Sequence, residues 1–310
     1  MGSPRILVLR GGAIGDFVVT LPVLEALRAQ WPGAHIELAC YPRVAPLALV
    51  SGLAQNAVSL DRPEFARLFR LRGEPEEQDR RWFTTFDLVL TFLYDPDGLV
   101  RRALETCPVR QLLECDPHPV QRHAADHLAG ILESLAIFAT PAVPALAWPR
   151  ERTNQARTLL AGHGITGRPF AIHPGSGGKA KNWPADRFLE FALRLRAAGW
   201  SPFFLVGEAE EAQAKFFTEA ATPFPCLRPA GLESVADLLS ASRAYAGNDS
   251  GISHLAAALA LDALVLFGPT RPEVWAPRGR GRVQVLRNGP RIDHLDVDDI
   301  LRGAQMLGWL

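Results

Sequence analysis

The chain has 310 residues, 48% of them aliphatic or aromatic, more than one typical core takes up and suited to two domains of about 150 residues each. Lys plus Arg and Asp plus Glu both number 33, so the formal charge is zero and no global field draws the protein to nucleic acid or to a membrane surface. The four cysteines, Cys40, Cys107, Cys115 and Cys226, form neither a CxxC pair nor a metal-ligand spacing, which predicts free thiols and a cytosolic location.

The opening residues lead into an apolar strand rather than a signal peptide, and every long apolar run is interrupted by charge or proline. A soluble or at most peripheral protein is expected. Ile6–Leu9 is a continuous apolar run of buried-strand type, ending in Arg10-Gly-Gly-Ala-Ile-Gly-Asp16. Val18–Gln30 then carries apolar residues at helical spacing, with Pro22 in the first turn and Pro32-Gly33 as the stop. This is a β-turn-α unit. A dinucleotide fingerprint needs glycines spaced by two and then three, which Gly11, Gly12 and Gly15 do not supply, and no acidic residue closes the next strand at Ile36–Cys40. No NAD cofactor is therefore expected. Asp16 puts a carboxylate at the mouth of a glycine turn, where it serves either as a helix cap or as a general base.

Strands are predicted at Ala57–Leu60 and Leu88–Phe92, separated by a stretch that contains Arg62, Arg67, Arg70, Arg72, Arg80 and Arg81; Arg101, Arg102, Arg110 and Arg122 follow. The planar guanidinium fork suits phosphate and carboxylate, so this collection could hold an anionic acceptor, although solvated helix faces account for most such clusters. Asp95-Pro-Asp97 has a spacing that some sugar transferases use for a metal ion, but the intervening proline favours a turn, and no metal site is expected. A helix is predicted over His123–Ile137. The proline-rich Thr140–Pro149 is the linker, which divides the chain into domains at 1–149 and 150–295 with a final segment at 296–310.

The βα rhythm then restarts with a helix at Thr153–His163, a strand at Phe170–His173, and the turn Pro174-Gly-Ser-Gly-Gly-Lys-Ala-Lys-Asn-Trp-Pro184. That turn offers free amides, Ser176, and the cations Lys179 and Lys181; a diphosphate needs both kinds of group. Pro202–Leu205 is the next strand, and an acidic helix is predicted from Glu208 to Ala220. Its first carboxylates suit the helix dipole or, alternatively, ribose hydroxyls. After a helix at Ser234–Ala241 comes Tyr245-Ala-Gly-Asn-Asp-Ser-Gly-Ile-Ser-His254, in which a strand ends at Ala246 and a helix starts at Ile252 with Asp249 or Ser250 as its N-cap. The first amides of that helix form a ready anion site. A strand closing at Gly268-Pro-Thr270 and a helix at Val297–Leu307 complete the chain. Repeated βα units in both halves predict an α/β protein of two Rossmann-like domains facing a cleft.

Three stretches together carry a resemblance: Arg10-Gly-Gly-Ala-Ile-Gly-Asp-Phe-Val-Val-Thr-Leu-Pro-Val-Leu24, His173-Pro-Gly-Ser176 with Lys181-Asn-Trp-Pro184, and Gly247-Asn-Asp-Ser-Gly-Ile-Ser-His-Leu-Ala-Ala-Ala258 with Phe267-Gly-Pro-Thr270. In this order they are similar to the ADP-heptose:lipopolysaccharide heptosyltransferases of glycosyltransferase family nine. The resemblance implies the two-domain GT-B fold, with the last helix returning to the N-terminal domain. It also implies that Asp16 is the catalytic base and Lys181 the ligand of the donor diphosphate. Asp249, Ser250 and Gly251 would meet phosphate and sugar, joined by Ser176 and His254. Glu208, or alternatively Glu210 or Glu211, would contact the nucleoside. Gly11, Gly12, Arg62 and Arg122 are the candidates for acceptor binding.

The function so implied is inverting, metal-independent transfer of heptose from an ADP-sugar donor to an anionic, lipid-linked oligosaccharide, with peripheral contact at the inner face of the cytoplasmic membrane. Alternatives are another nucleotide-diphosphate sugar, a protein acceptor, or a sugar-nucleotide binding protein without turnover.

Overall fold

The computed structural model describes residues 3–70, 75–207, 216–217 and 223–310. The chain divides into two compact units between Ala142 and Val143, inside the proline-rich stretch.

The first unit begins with β1 (Arg5–Arg10), α1 (Ile14–Val18), α2 (Leu21–Gln30), β2 (His35–Cys40), α3 (Ala45–Val50), β3 (Asn56–Ser59), α4 (Pro63–Leu68) and α5 (Glu77–Phe83). It continues through β4 (Leu88–Phe92), α6 (Leu99–Glu105), β5 (Leu112–Glu114) and α7 (Ala124–Ala129). Its strands are parallel in the order β3-β2-β1-β4-β5. The near-continuous apolar runs of β1 and β4 suit a sheet covered on both faces, and Ile6–Leu9 and Leu88–Leu90 are buried accordingly.

The second unit contains α8 (Arg150–Gly162), β6 (Pro169–His173), α9 (Ala185–Ala197), β7 (Ser201–Leu205), β8 (Cys226–Leu227) and α10 (Leu232–Ser240). After these come β9 (Ala244–Asn248), α11 (Gly251–Ala258), β10 (Asp262–Phe267), α12 (Pro272–Trp275), β11 (Val283–Arg287) and α13 (Val297–Met306). Its sheet is also parallel, ordered β11-β10-β9-β6-β7-β8.

Each sheet has one place where the strand order reverses direction: between β1 and β4 in the first, between β6 and β9 in the second. Loops at the carboxyl ends of strands diverge there and leave room for a ligand. The three glycine turns of the sequence leave β1, β6 and β9, so each begins at one of these places.

Several elements differ from the sequence expectation. The helix predicted over Val18–Gln30 is α2, beginning at Leu21, and a short helix not expected from the sequence, α1, precedes it. The two are separate because Pro22 has no N–H for the Val18 carbonyl; Thr20 stands at the N-cap of α2 and its hydroxyl donates back to the Asp16 carbonyl. The helix predicted to Ile137 is α-helical only to Ala129 and tightens into a 3-10 segment over Gly130–Leu135. Asp95 caps α6, accepting from the N–H groups of Leu99 and Arg101, which gives the Asp-Pro-Asp stretch its turn. The final helix, expected to return to the N-terminal domain, is instead part of the second unit. Ile300, Ala304, Leu307 and Trp309 are buried there with Phe170, Trp200 and Leu264. The physical reason is the apolar stripe of α13 and the indole of Trp309, whose ring meets Phe170 edge-on at 4.9 Å while its carbonyl accepts from Trp200 Nε1 at 2.8 Å.

Candidate functional site

In the first unit the loop after β1 is built around a buried cation. Arg10 ends β1 with 3% of its surface exposed. Its Nε and Nη2 donate to the Asp16 carbonyl at 3.0 and 2.9 Å, Nε also to Thr20 Oγ1 at 2.9 Å, and Nη1 to the Phe92 carbonyl at 3.4 Å. Burial pushes the guanidinium below its ordinary value, and the Asp16 carboxylate, 3.6 Å from Nη2, acts in the opposite sense. An arginine keeps its charge throughout the physiological range, so Asp16 stands beside a fixed positive charge.

The Asp16 carboxylate is 31% exposed and accepts the Ala13 N–H at 2.7 Å, closing the first turn of α1. Gly12 makes this pose available. Its φ is +92°, and a Cβ there would lie 2.7 Å from Asp16 Oδ2. Asp16 is therefore the local cap weighed from the sequence, and its carboxylate is also accessible.

The second unit brings together residues far apart in the chain. Lys181 Nζ lies 2.7 Å from Asp249 Oδ2, joining the turn after β6 to the turn after β9. The ammonium is 34% exposed, whereas the carboxylate is only 6% exposed, so the open side of the pair is cationic. Ser250 is the N-cap of α11, its hydroxyl accepting from the Ser253 N–H at 3.4 Å, which decides between the two caps left open by the sequence. Gly251 and His254 lie in the first turn of that helix, His254 buried. Helix-start amides and an ammonium in the same neighbourhood attract a polyanion.

Ser176 shapes the turn from within: its hydroxyl donates to the Gly178 carbonyl at 2.9 Å and accepts the Gly178 N–H at 3.3 Å. Gly247 lets β9 lie close to β6, since a Cβ there would collide with Tyr245 Oη and meet the His173 carbonyl at 2.8 Å. His173 is buried at the end of β6, and burial pushes its imidazole down to about 4, so it is neutral at pH 7.

The other expected residues are placed as follows. Gly11 and Gly12 border Asp16 in the β1 loop. Arg62 starts α4, exposed, with Nε 3.0 Å from Glu64, and Arg122 is exposed shortly before α7; the structure gathers neither with Asp16 through any ion pair or hydrogen bond among the described residues. Within the arginine-rich stretch, Arg67 pairs with buried Asp79 and Arg101 with Glu105, as solvated or structural faces would. Glu208, Glu210 and Glu211 lie outside the described residues. Two residues not singled out from the sequence emerge: Arg10, visible there only as a charge ending an apolar strand, and Asn248, hidden inside the Asn-Asp-Ser-Gly run. Among the described residues no three His, Cys, Asp or Glu side chains come together as a metal cluster. No helix among them is long and apolar enough to cross a membrane.

The profile of glycosyltransferase family 9 (heptosyltransferase) matches residues 126–301. Lipopolysaccharide heptosyltransferase 2 of Escherichia coli (strain K12) is 34% identical over 301 residues, covering 88% of this chain and 85% of that protein. Among solved structures, the family 9 glycosyl transferase of Veillonella parvula superposes with a TM-score of 0.81 at 20% identity, over 99% of this chain and 98% of that one. The E. coli ADP-heptose lps heptosyltransferase II does so with a TM-score of 0.77 at 17% identity, over 98% of each chain. Likeness at such low identity carries the fold, which is GT-B. With the profile spanning more than half of its length and a relative at 34% identity, the chain belongs to glycosyltransferase family 9 (heptosyltransferase) and is a glycosyltransferase.

Proposed function

We propose that the protein is an inverting, metal-independent transferase that moves a heptose from ADP-heptose to the inner core of lipopolysaccharide, working in the cytoplasm at the inner face of the membrane. The observation that carries this reading is the Lys181–Asp249 pair beside the start of α11, where the second sheet reverses order. The names of the E. coli relatives, a lipopolysaccharide heptosyltransferase and an ADP-heptose transferase, support the acceptor and donor assigned.

In this reading Lys181, the amides of Gly251 and Ile252, and the Ser176 turn hold the diphosphate, while Asp249 orients Lys181 and meets the sugar. His254 supports the same helix start, and Glu208 contacts the nucleoside. Asp16 accepts the proton of the acceptor hydroxyl as its oxygen bonds to the anomeric carbon from the face opposite ADP. The anomeric C–O bond breaks as the new one forms, its electron pair leaves with ADP, and the configuration inverts. Charge growing on the leaving phosphate meets the ammonium and helix amides, which supply the positive charge that a divalent ion supplies elsewhere. Gly11 and Gly12 give the acceptor close approach to Asp16, and Arg62 and Arg122 belong to the surface that attracts its phosphates.

Asp16→Asn tests the base: ADP affinity should be retained while transfer falls about 10²–10⁴-fold. Undiminished transfer would remove Asp16 from that role. Calorimetry with ADP, UDP, GDP and NADH, with and without EDTA, tests the donor. Preferential ADP binding that survives EDTA is expected; preference for UDP or GDP would change the donor, and binding of NADH alone would overturn the reading.

A further inference from the structure

Asn248, at the end of β9, is wholly buried. Its Nδ2 donates to the Pro174 carbonyl at 2.7 Å, and its Oδ1 accepts the Trp183 N–H at 3.1 Å. Those two backbone groups lie at the beginning and end of the turn that carries Lys181. Between them Ser176 bonds within the turn, and Lys179–Lys181 form a single 3-10 turn. Beyond it, the Trp183 indole is fixed in the core, Nε1 donating to the Leu295 carbonyl at 2.9 Å. The next residue after Asn248 is Asp249, the carboxylate that meets Lys181. One dipeptide therefore grips the turn twice, through its backbone and through its charge.

We infer that Asn248 is a positioning residue for Lys181, tying both ends of the 174–183 turn to β9 so that the ammonium is presented beside the start of α11. The inference rests on the reading of Lys181 as the ligand of the donor diphosphate. The chemistry of the tie is specific. It needs one N–H donor and one carbonyl acceptor on a single short side chain, and only an asparagine amide provides both at this reach. Aspartate keeps the acceptor for Trp183 but sets a carboxylate oxygen against the Pro174 carbonyl. An aliphatic residue leaves a buried N–H and a buried C=O without partners.

A double-mutant cycle on the full chain, with ADP as the probe, tests this. Calorimetric dissociation constants are compared for the wild type, Lys181→Ala, Asn248→Ala and the double variant, with Asn248→Asp replacing the alanine if that protein does not melt cooperatively. Lys181→Ala and Asn248→Ala should each weaken ADP about tenfold, and the double variant should bind no more weakly than Lys181→Ala alone. In hydrogen exchange the amides of residues 175–183 should lose protection in either Asn248 variant.

If the position-248 substitution weakens ADP by the same factor with and without Lys181, it acts elsewhere, and the inference is overturned while the donor reading stands. Unchanged affinity in Lys181→Ala would refute the donor reading itself, and the inference falls with it. Unaltered exchange over 175–183 in a folded Asn248→Asp protein would show that the tie does not hold the turn.

Discussion

Gly12→Ala is a sharp test of the unit 1 site because it adds one methyl group beside the carboxylate and touches no proposed donor ligand. At φ +92° an L-residue is strained, at a cost of roughly 1–2 kcal/mol. The new Cβ would also stand 2.7, 2.8 and 2.9 Å from Asp16 Oδ2, Cβ and Cγ. Comfortable contact begins near ~3.5 Å, so the carboxylate must retreat by roughly 0.5–1 Å. That motion breaks its 2.7 Å bond from the Ala13 N–H. A displacement of that size at a reacting group costs about 10²-fold in rate. The strain alone should lower the melting temperature of a unit of this size by roughly 2–8 °C. Steady-state transfer, ADP calorimetry and a thermal melt on one preparation give the three readouts: turnover down about 10²-fold, ADP affinity unchanged, melting modestly lower. Wild-type turnover in a folded Gly12→Ala protein would refute the claim that the pose of Asp16 matters.

Two further predictions concern stability. Burial holds His173 at about 4, below its ordinary 6.5, so the unfolded chain takes up the proton first as pH falls. The stability present above about pH 6.5 is then lost towards pH 4, at up to about 1.4 kcal/mol per pH unit. Urea midpoints between pH 7 and 4.5 should fall more steeply for the wild type than for His173→Gln, and parallel curves would contradict this. Trp309→Ala removes a ring packed edge-on against Phe170 and Trp200, and should destabilise the second unit by about 3–5 kcal/mol in denaturant titration. A loss under about 1 kcal/mol would mean that the terminal segment does not complete that core.

Most of the secondary structure was legible because its signals are local. Uninterrupted runs such as Ile6–Leu9 have no face to leave in water, Pro32-Gly33 must stop a helix, and Asp249 or Ser250 ahead of an apolar stretch can cap one. What the sequence concealed is non-local. The stripe of α13 announces an amphipathic helix but is silent on which apolar surface receives it, and Phe170, Trp200 and Trp309 meet only after folding. The Lys181–Asp249 pair spans 68 residues and two strand ends, so no spacing rule reaches it. Lys181 and Asp249 were nevertheless legible separately, each through its own motif. Asn248 was overlooked because an asparagine in a glycine-containing turn has a sufficient local explanation. The arginines were the least legible: charge clusters carry no geometry, and Arg62, Arg67 and Arg101 are found in ion pairs with neighbouring acids.

The ammonium of Lys181 is never offered to solution bare. Its 2.7 Å contact with a nearly buried carboxylate makes the capture of any anion an exchange reaction, in which the newcomer must outbid or share with Asp249. A small monovalent ion gains one contact and weakens another, for little net return. A polyanion that also reaches the helix-start amides gains several contacts for the same sacrifice. In the donor site proposed above, this half-satisfied cation would favour a polyanion over a monovalent ion, a selectivity set by a threshold rather than by a tight mould.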